Sequence, residues 1–180
     1  PGASPKEEEF FEVAKSELNL KNAKLVSFGS TRKLNVLAKE DPQVKALVDS
    51  GTDYVCIVGK SSKLHITKAL QTDVKSAIEM AVDTISYLKS QGKNVFFDAE
   101  HFFDGYKEDS ATSLKILEAV ISADVDCFIF CDTNGGTLPE EVKTILGEVT
   151  KKYPDVKFGV HFQNDNGCAV VNSMVAADLG

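Results

Sequence analysis

His161 and Gln163 stand two residues apart in the segment GVHFQNDNG, a spacing that sends both side chains to one side of an extended strand. A His-x-Gln pair offers a divalent metal one good imidazole ligand and one weak amide oxygen; the plainer alternative is a histidine hydrogen-bonded within a crowded rim. Asn164 and Asp165 follow, leading into Gly167, and can either cap the next helix or orient His161 through its second ring nitrogen. Asp98 and Glu100 share a face in the same way. Two carboxylates so close repel unless a cation or a shared proton intervenes, so they point to a raised pKa, a nearby metal or an arginine. Otherwise Asp98 accepts backbone bonds and Glu100 pairs with Lys60 or another basic group. His101 comes next, and Asp104-Gly105 reads as a turn in the loop that follows. In Asp132-Thr133-Asn134-Gly135-Gly136 the glycines let the chain turn sharply and leave the preceding side chains at the mouth of a site, while Thr137 reads as the cap of the next helix. His65 falls in the stretch KSSKLHIT, read as a loop, where Lys60 and Lys63 suit an anionic substrate or cofactor or are simply solvated. No serine occupies a G-x-S-x-G elbow and no cysteine has a base beside it in the local sequence, so nucleophilic catalysis has no support.

The elements that must position these groups alternate along the chain. Ser4-Pro5-Lys6-Glu7 opens a helix through Phe10, Phe11 and Ala14, and Pro42 to Asp49 forms a second helix closed by Gly51. Thr72 opens the longest one, with Val74, Ile78, Val82 and Ile85 at helical spacing and Gly92 past its end. Further helices run from about Asp109 to Ala123, from Thr137-Leu138-Pro139 to near Tyr153, and from about Gly167 to Leu179. Between them lie apolar strands at Ala23–Gly29, Asp53–Gly59, Asn94–Glu100, Asp126–Asp132 and Val156–Phe162. Strands apolar on both faces and followed by helices imply a parallel sheet with crossover helices, an α/β fold. A dinucleotide-binding sheet is disfavoured because Gly29 is followed by STRKLN and no phosphate loop is present. Polar residues instead gather at successive strand ends: Ser27 with Ser30, Lys60, Asp98 with Glu100 and His101, Asp132 to Asn134, and His161 to Asp165. That is where a (β/α)₈ barrel places its chemistry, so the expected fold is a partial barrel of about five parallel strands, forming one incomplete domain over residues 1–180.

Composition narrows the partners. With 27 acidic and 20 basic residues the formal charge is −7, and no basic stripe is present to neutralise a phosphate backbone, so nucleic acid is not expected. No apolar run approaches the roughly 18 residues of a membrane span, and PGASPKEEEFF lacks the marks of a secretion signal; a cytoplasmic protein fits best, with an organellar one as the alternative. The cysteines at 56, 127, 131 and 168 form no C-x-x-C pair and are expected to be buried and reduced. Cys127 and Cys131, about 13 Å apart along one strand, are too distant to be bridged to each other or to share a metal.

Three long segments carry a resemblance over essentially the whole chain: FDAEHFFDGYK (97–107), CDTNGGTLPEEV (131–142) and GVHFQNDNGCAVVNSMVAADLG (159–180). They resemble the family of 2-isopropylmalate, homocitrate and citramalate synthases and hydroxymethylglutaryl-coenzyme-A lyase, and look most like its citramalate synthase branch. FGSTRK (28–33) and the GKSSKLHIT segment agree. The resemblance implies the third to seventh strands of that barrel, and a reaction in which acetyl-CoA condenses with a 2-oxo acid, pyruvate above all, with help from a divalent metal (Mg²⁺, Mn²⁺ or Zn²⁺). It further implies catalytic roles for Glu100, His101 and Thr133, a substrate pocket involving Lys60, His65, Asp98, Asn134 and Asn164, and metal ligation by His161. The second metal histidine of the family falls at position 163, which is glutamine, and the LRDG-like segment that supplies an arginine and a metal aspartate has no counterpart here. Little condensation is therefore expected from residues 1–180 by themselves. The resemblance leaves open an inactive remnant that serves as a binding or structural protein, and a lyase of the same barrel family; unpaired sheet edges imply a homo-oligomer or other association.

Overall fold

Side chains alternate between two environments along the central strand, β3 (Asn94–Glu100), and the computed structural model, which describes residues 1–180, repeats that alternation across the sheet. Val95, Phe97 and Ala99 are fully buried, whereas Phe96 and Glu100 on the opposite side are only partly covered. The flanking strands are β1 (Val26–Ser30), β2 (Tyr54–Lys60), β4 (Cys127–Asp132) and β5 (Phe158–Phe162), all parallel and paired in the consecutive order β1-β2-β3-β4-β5. A doubly wound sheet reverses its strand order at a switch point. Here the order never reverses, and a single apolar cluster joins Val55, Ile57, Val95, Phe97, Phe128 and Phe130 to the helices on one side. This is the winding of a barrel, and the fold is α/β with five strands of one arc.

Seven helices connect or flank the strands: α1 (Pro5–Glu17), α2 (Pro42–Asp49), α3 (Lys63–Lys68), α4 (Val74–Ser90), α5 (Phe102–Ser122), α6 (Pro139–Lys152) and α7 (Ala169–Asp178). Aromatic rings fasten α5 to the sheet. Phe102 lies 4.8 Å from Phe130 and 5.8 Å from Phe128 between ring centres, and Phe103 lies 5.5 Å from Phe162. Phe102 and Phe103 are completely buried, and each such burial is worth about 1.5–3 kcal/mol. This packing holds the first turn of α5 directly against the end of β3. Asp132, also buried, secures the start of α6 by accepting bonds from the Thr137 amide (3.1 Å) and hydroxyl (2.8 Å).

Several local expectations are corrected. Residue 65 lies in α3 rather than in a loop. Asp104-Gly105 lies inside α5 rather than in a turn, because the Phe102–Phe103 anchor starts that helix immediately after the strand. Asp109, with φ −153°, interrupts α5 and caps its second half by accepting from the Thr112 amide and hydroxyl, which is why the residue pattern there reads as a helix start. Those two bonds also hold its carboxyl below the usual range. Asp73, not Thr72, caps α4 through the Ser76 amide, and α4 is the longest uninterrupted helix, as its spacing indicates, because Asp109 breaks α5 into two pieces. The Thr137 hydroxyl is engaged by Asp132 and does not cap α6, whose free Leu138 amide is met by Glu141 at 2.7 Å. Ser27 belongs to a buried network with Thr52 below the strand ends. Cys56 and Cys131 are buried, but Cys127 and Cys168 are only partly so.

Gly105 lies where α5 meets the segment after β2. A methyl group there would come within 2.6 Å of the Ser61 carbonyl oxygen and 2.8 Å of the Ser62 Cα. Gly105→Ala should therefore destabilise the fold by about 1–3 kcal/mol. Gly147, inside α6 with nothing within 4 Å of such a methyl, should behave oppositely, Gly147→Ala adding about 0.5–1 kcal/mol. Urea denaturation of the two variants checks both the signs and the contrast.

Candidate functional site

At the C-terminal ends of the central strands, the less covered face of the sheet becomes polar. Asp98, Glu100, Cys131, Thr133, His161 and Gln163 line one cavity of about 260 Å³, with Phe28 and Val58 completing its wall. Strand register brings them together: Asp98 is level with Val58 and Ile129, and Cys131 with His161. Parallel neighbours at one level project to the same face, so residues distant in sequence converge without any loop having to carry them.

Asp98 is the centre of the group. Only 6% exposed, it accepts a bond from the Cys56 thiol at 3.5 Å and lies 3.2 Å from His161 Nδ1. A carboxylate at that nitrogen favours a proton on Nδ1 and leaves Nε2 as the free lone pair. Cys131 Sγ is 4.0 Å from the same Nδ1, so carboxylate, thiol and imidazole donors lie within 4.8 Å of one another. Imidazole, carboxylate and thiol together form a donor set that fits a divalent transition ion. Burial first, and then the charge of Asp98, pushes the thiols of Cys56 and Cys131 far above their usual range. Without a metal, then, Cys131 is a protonated thiol and not a nucleophile, although the fold does set it beside a histidine.

Glu100 reaches the cavity but is paired with Lys60, its neighbour in register on β2. This is the plainer of the two alternatives open for Glu100. Asp98, by contrast, is satisfied by side chains rather than by backbone amides. Lys60 itself faces a separate cavity of about 380 Å³ that also holds Arg32, Lys33 and Glu100.

The other sequence-selected residues lie behind this site or at its margin. His101 adopts a left-handed backbone (φ 59°) at the junction of β3 and α5, and its amide donates to Thr133 Oγ1 at 2.8 Å. Its ring turns away from the cavity and stacks on His65, with centres 3.6 Å apart and planes 3° from parallel. Asp104 accepts from Asn134 Nδ2 at 2.6 Å and lies 3.4 Å from His101 Nδ1. His65 is held below its usual pKa by burial first and then by His101 and Lys60. Asn164 caps the final helix, accepting from the Ala169 amide at 3.1 Å, so it is Asp98 and not Asn164 that orients His161. Glu100, Thr133, Asp98, His161 and Gln163 thus share one cavity, whereas His65, His101, Asn134 and Asn164 do not line it.

Cys56 and Cys131 were not singled out as site residues from the sequence. The signal was present in strand parity, since Cys131 lies two residues before Thr133 and two after Ile129, on the face that also carries Asp98. A larger cavity of about 970 Å³, lined by Tyr54, Asn94, Phe96, Asp126 and Lys157, lies at the opposite ends of the strands and gathers no comparable set of donors.

Comparison with known proteins places the fold. The chain is similar to the (R)-citramalate synthase of Aquifex aeolicus, 46% identical over 180 residues that make up all of this chain and 34% of that protein. It is 43% identical to the (R)-citramalate synthase of Streptomyces coelicolor, with the same coverage. The chain thus spans about a third of the length of the curated relatives it matches. Among solved structures, the HMG-CoA lyase of Bacillus subtilis superposes with a TM-score of 0.78 at 16% identity, over 96% of this chain and 56% of that one, and so supports the partial barrel. No helix is long and apolar enough to cross a membrane. Residues 7–180 match the HMGL-like family profile, and the chain belongs to that family.

Proposed function

We propose that this chain forms the third to seventh strand units of an incomplete (β/α)₈ domain, and that it carries part of the active site of an enzyme condensing acetyl-CoA with a 2-oxo acid, pyruvate first among them. The observation that carries this reading is the meeting of Asp98, Glu100, Thr133, His161 and Gln163 at one cavity, in a chain whose whole length resembles citramalate synthases.

His161, through Nε2, with Gln163 as a weak oxygen partner, would hold a divalent ion of the Mg²⁺, Mn²⁺ or Zn²⁺ type. When bound, such an ion supplies polarisation of a substrate carbonyl. Asp98 holds the His161 tautomer, keeping the ring in one orientation. Glu100 would take a proton from the acetyl methyl group, and Lys60, by holding it in an ion pair, keeps it aimed. Thr133, its hydroxyl fixed by the His101 amide, presents a polar wall to the 2-oxo acid. The stacked His65–His101 pair with Asn134 supports that wall from behind and shapes the approach of the thioester. We place the protein in the cytoplasm on the strength of its bacterial relatives.

A second reading, a non-catalytic chain that associates with copies of itself, draws on Gln163 and on the open apolar surface. Phe28 is 53% exposed on the inner face and Met174 is 64% exposed on α7. Such groups ordinarily find a cover.

Acetyl-CoA with pyruvate, titrated into ¹⁵N-labelled protein, should shift the amides of Glu100, Thr133 and Gln163 and leave those of Asn94 and Lys157 in place. Shifts confined to the Asn94 end would remove the condensing reading. By itself the chain should release little coenzyme A thiol from the same mixture with Mn²⁺, and rapid release would show that the ligands at hand suffice. Gln163→His, which restores a second imidazole, should tighten Mn²⁺ binding about tenfold, roughly 1.4 kcal/mol by calorimetry; unchanged affinity would count against the His161–Gln163 pair.

A further inference from the structure

Below His161 lies a group of donors that the condensing reading does not use as ligands. We infer that Asp98, Cys131 and His161 Nδ1 form a thiolate-containing site for a soft divalent ion, Zn²⁺ in the first instance, distinct from a hard-ion position at Nε2. Metal–ligand lengths of about 2.0–2.3 Å at tetrahedral angles set neighbouring donor atoms about 3.3–3.6 Å apart. His161 Nδ1 already lies 3.2 Å from Asp98 Oδ2 and 4.0 Å from Cys131 Sγ, with all three donor groups within 4.8 Å. Shifts of up to about 1 Å, within reach of side-chain rotation alone, would close the set.

Register keeps the geometry nearly fixed before any ion arrives. Cys131 and His161 are paired residues on adjacent strands, and Asp98 comes from the next strand over. Burial of Asp98 and Cys131 excludes competing water from two of the three ligands, while the half-exposed His161 side leaves a path of entry and an open fourth position towards the cavity. A second thiol, Cys56, is already bonded to Asp98 at 3.5 Å and stands ready to orient that carboxylate. One thiol in the set discriminates between ions, since Zn²⁺, Co²⁺ and Cd²⁺ accept sulfur whereas Mg²⁺ and Mn²⁺ prefer oxygen. Binding balances as Cys131–SH plus M²⁺ giving Cys131–S–M and one proton released to solvent, while the proton on His161 Nδ1 moves to Nε2 as Nδ1 takes the ion. Occupancy therefore changes the tautomer of His161 and competes with a hard ion for the same imidazole.

Cobalt is the direct probe. Titrating Co²⁺ into the reduced 180-residue protein should produce one equivalent of a near-ultraviolet sulfur-to-cobalt charge-transfer band together with intense visible bands of a tetrahedral centre, and Zn²⁺ should bleach both. Cys131→Ser should abolish the charge-transfer band, and Asp98→Asn should weaken it, while Cys168→Ser should leave it unchanged. Circular dichroism of each variant separates loss of the site from loss of the fold. Cobalt binding without the sulfur band, or a band that survives in Cys131→Ser, would overturn the inference, as would no binding at all. A protein that shows the band but no acetyl-CoA shifts at Glu100 and Thr133 keeps the metal site and loses the condensing reading; the reverse pattern does the opposite.

Discussion

The two-residue alternation of β3 is the constraint on which the rest of the molecule depends. Phe97 and Ala99 must enter the helix-covered side, where Phe97 stacks on Phe128 at 5.7 Å, and that obliges Asp98 and Glu100 to face the other way. A slip of one residue would exchange the two sets, burying carboxylates among phenylalanines and exposing the aromatic anchor. The apolar packing on one face is therefore what fixes the polar site on the other, and the same rule carries through Phe128 and Phe130 to Cys131 and through Val160 to His161.

Burying a carboxylate such as Asp98 costs several kcal/mol unless its oxygens are satisfied. Here the compensation comes from a thiol and an imidazole on neighbouring strands rather than from backbone amides. Such a partnership is adjustable, because thiol and imidazole can each lose a proton to a metal, whereas an amide cannot. Glu100 is treated differently. Its partner Lys60 lies in register beside it, so the two carboxylates of β3 sit in separate electrostatic settings only two residues apart. This separation answers the repulsion that their spacing raises, without an arginine at either position.

Outside the cavity, α5 acts as the reference surface. Its phenylalanine anchor leaves no room for a linker after Glu100, so His101 must take a left-handed conformation to turn strand into helix, and its ring is delivered to His65. The strained residue and the stacked pair thus follow from the aromatic packing beneath them. Family membership agrees with the arrangement at the level of the fold, while Gln163 marks where this chain departs from the metal pair that the resemblance implies.

What could be read without coordinates was whatever is encoded locally. The five strands and most helices are legible from period and capping residues, and the shared face of Asp98 with Glu100 and of His161 with Gln163 follows from parity alone. The helix from Asp109 was legible because Asp109 does cap it, but the turns before it were hidden, since they rest on contacts of Phe102 and Phe103 with β4 and β5. Nor does local sequence reveal that Cys131 meets His161, or that His101 turns from the cavity towards His65. Those pairings depend on strand register and on helix packing across 30 residues or more. Distances of that kind are set only when the sheet closes against its helices, which is why the residue types announced a site and the tertiary structure decided which of them share it.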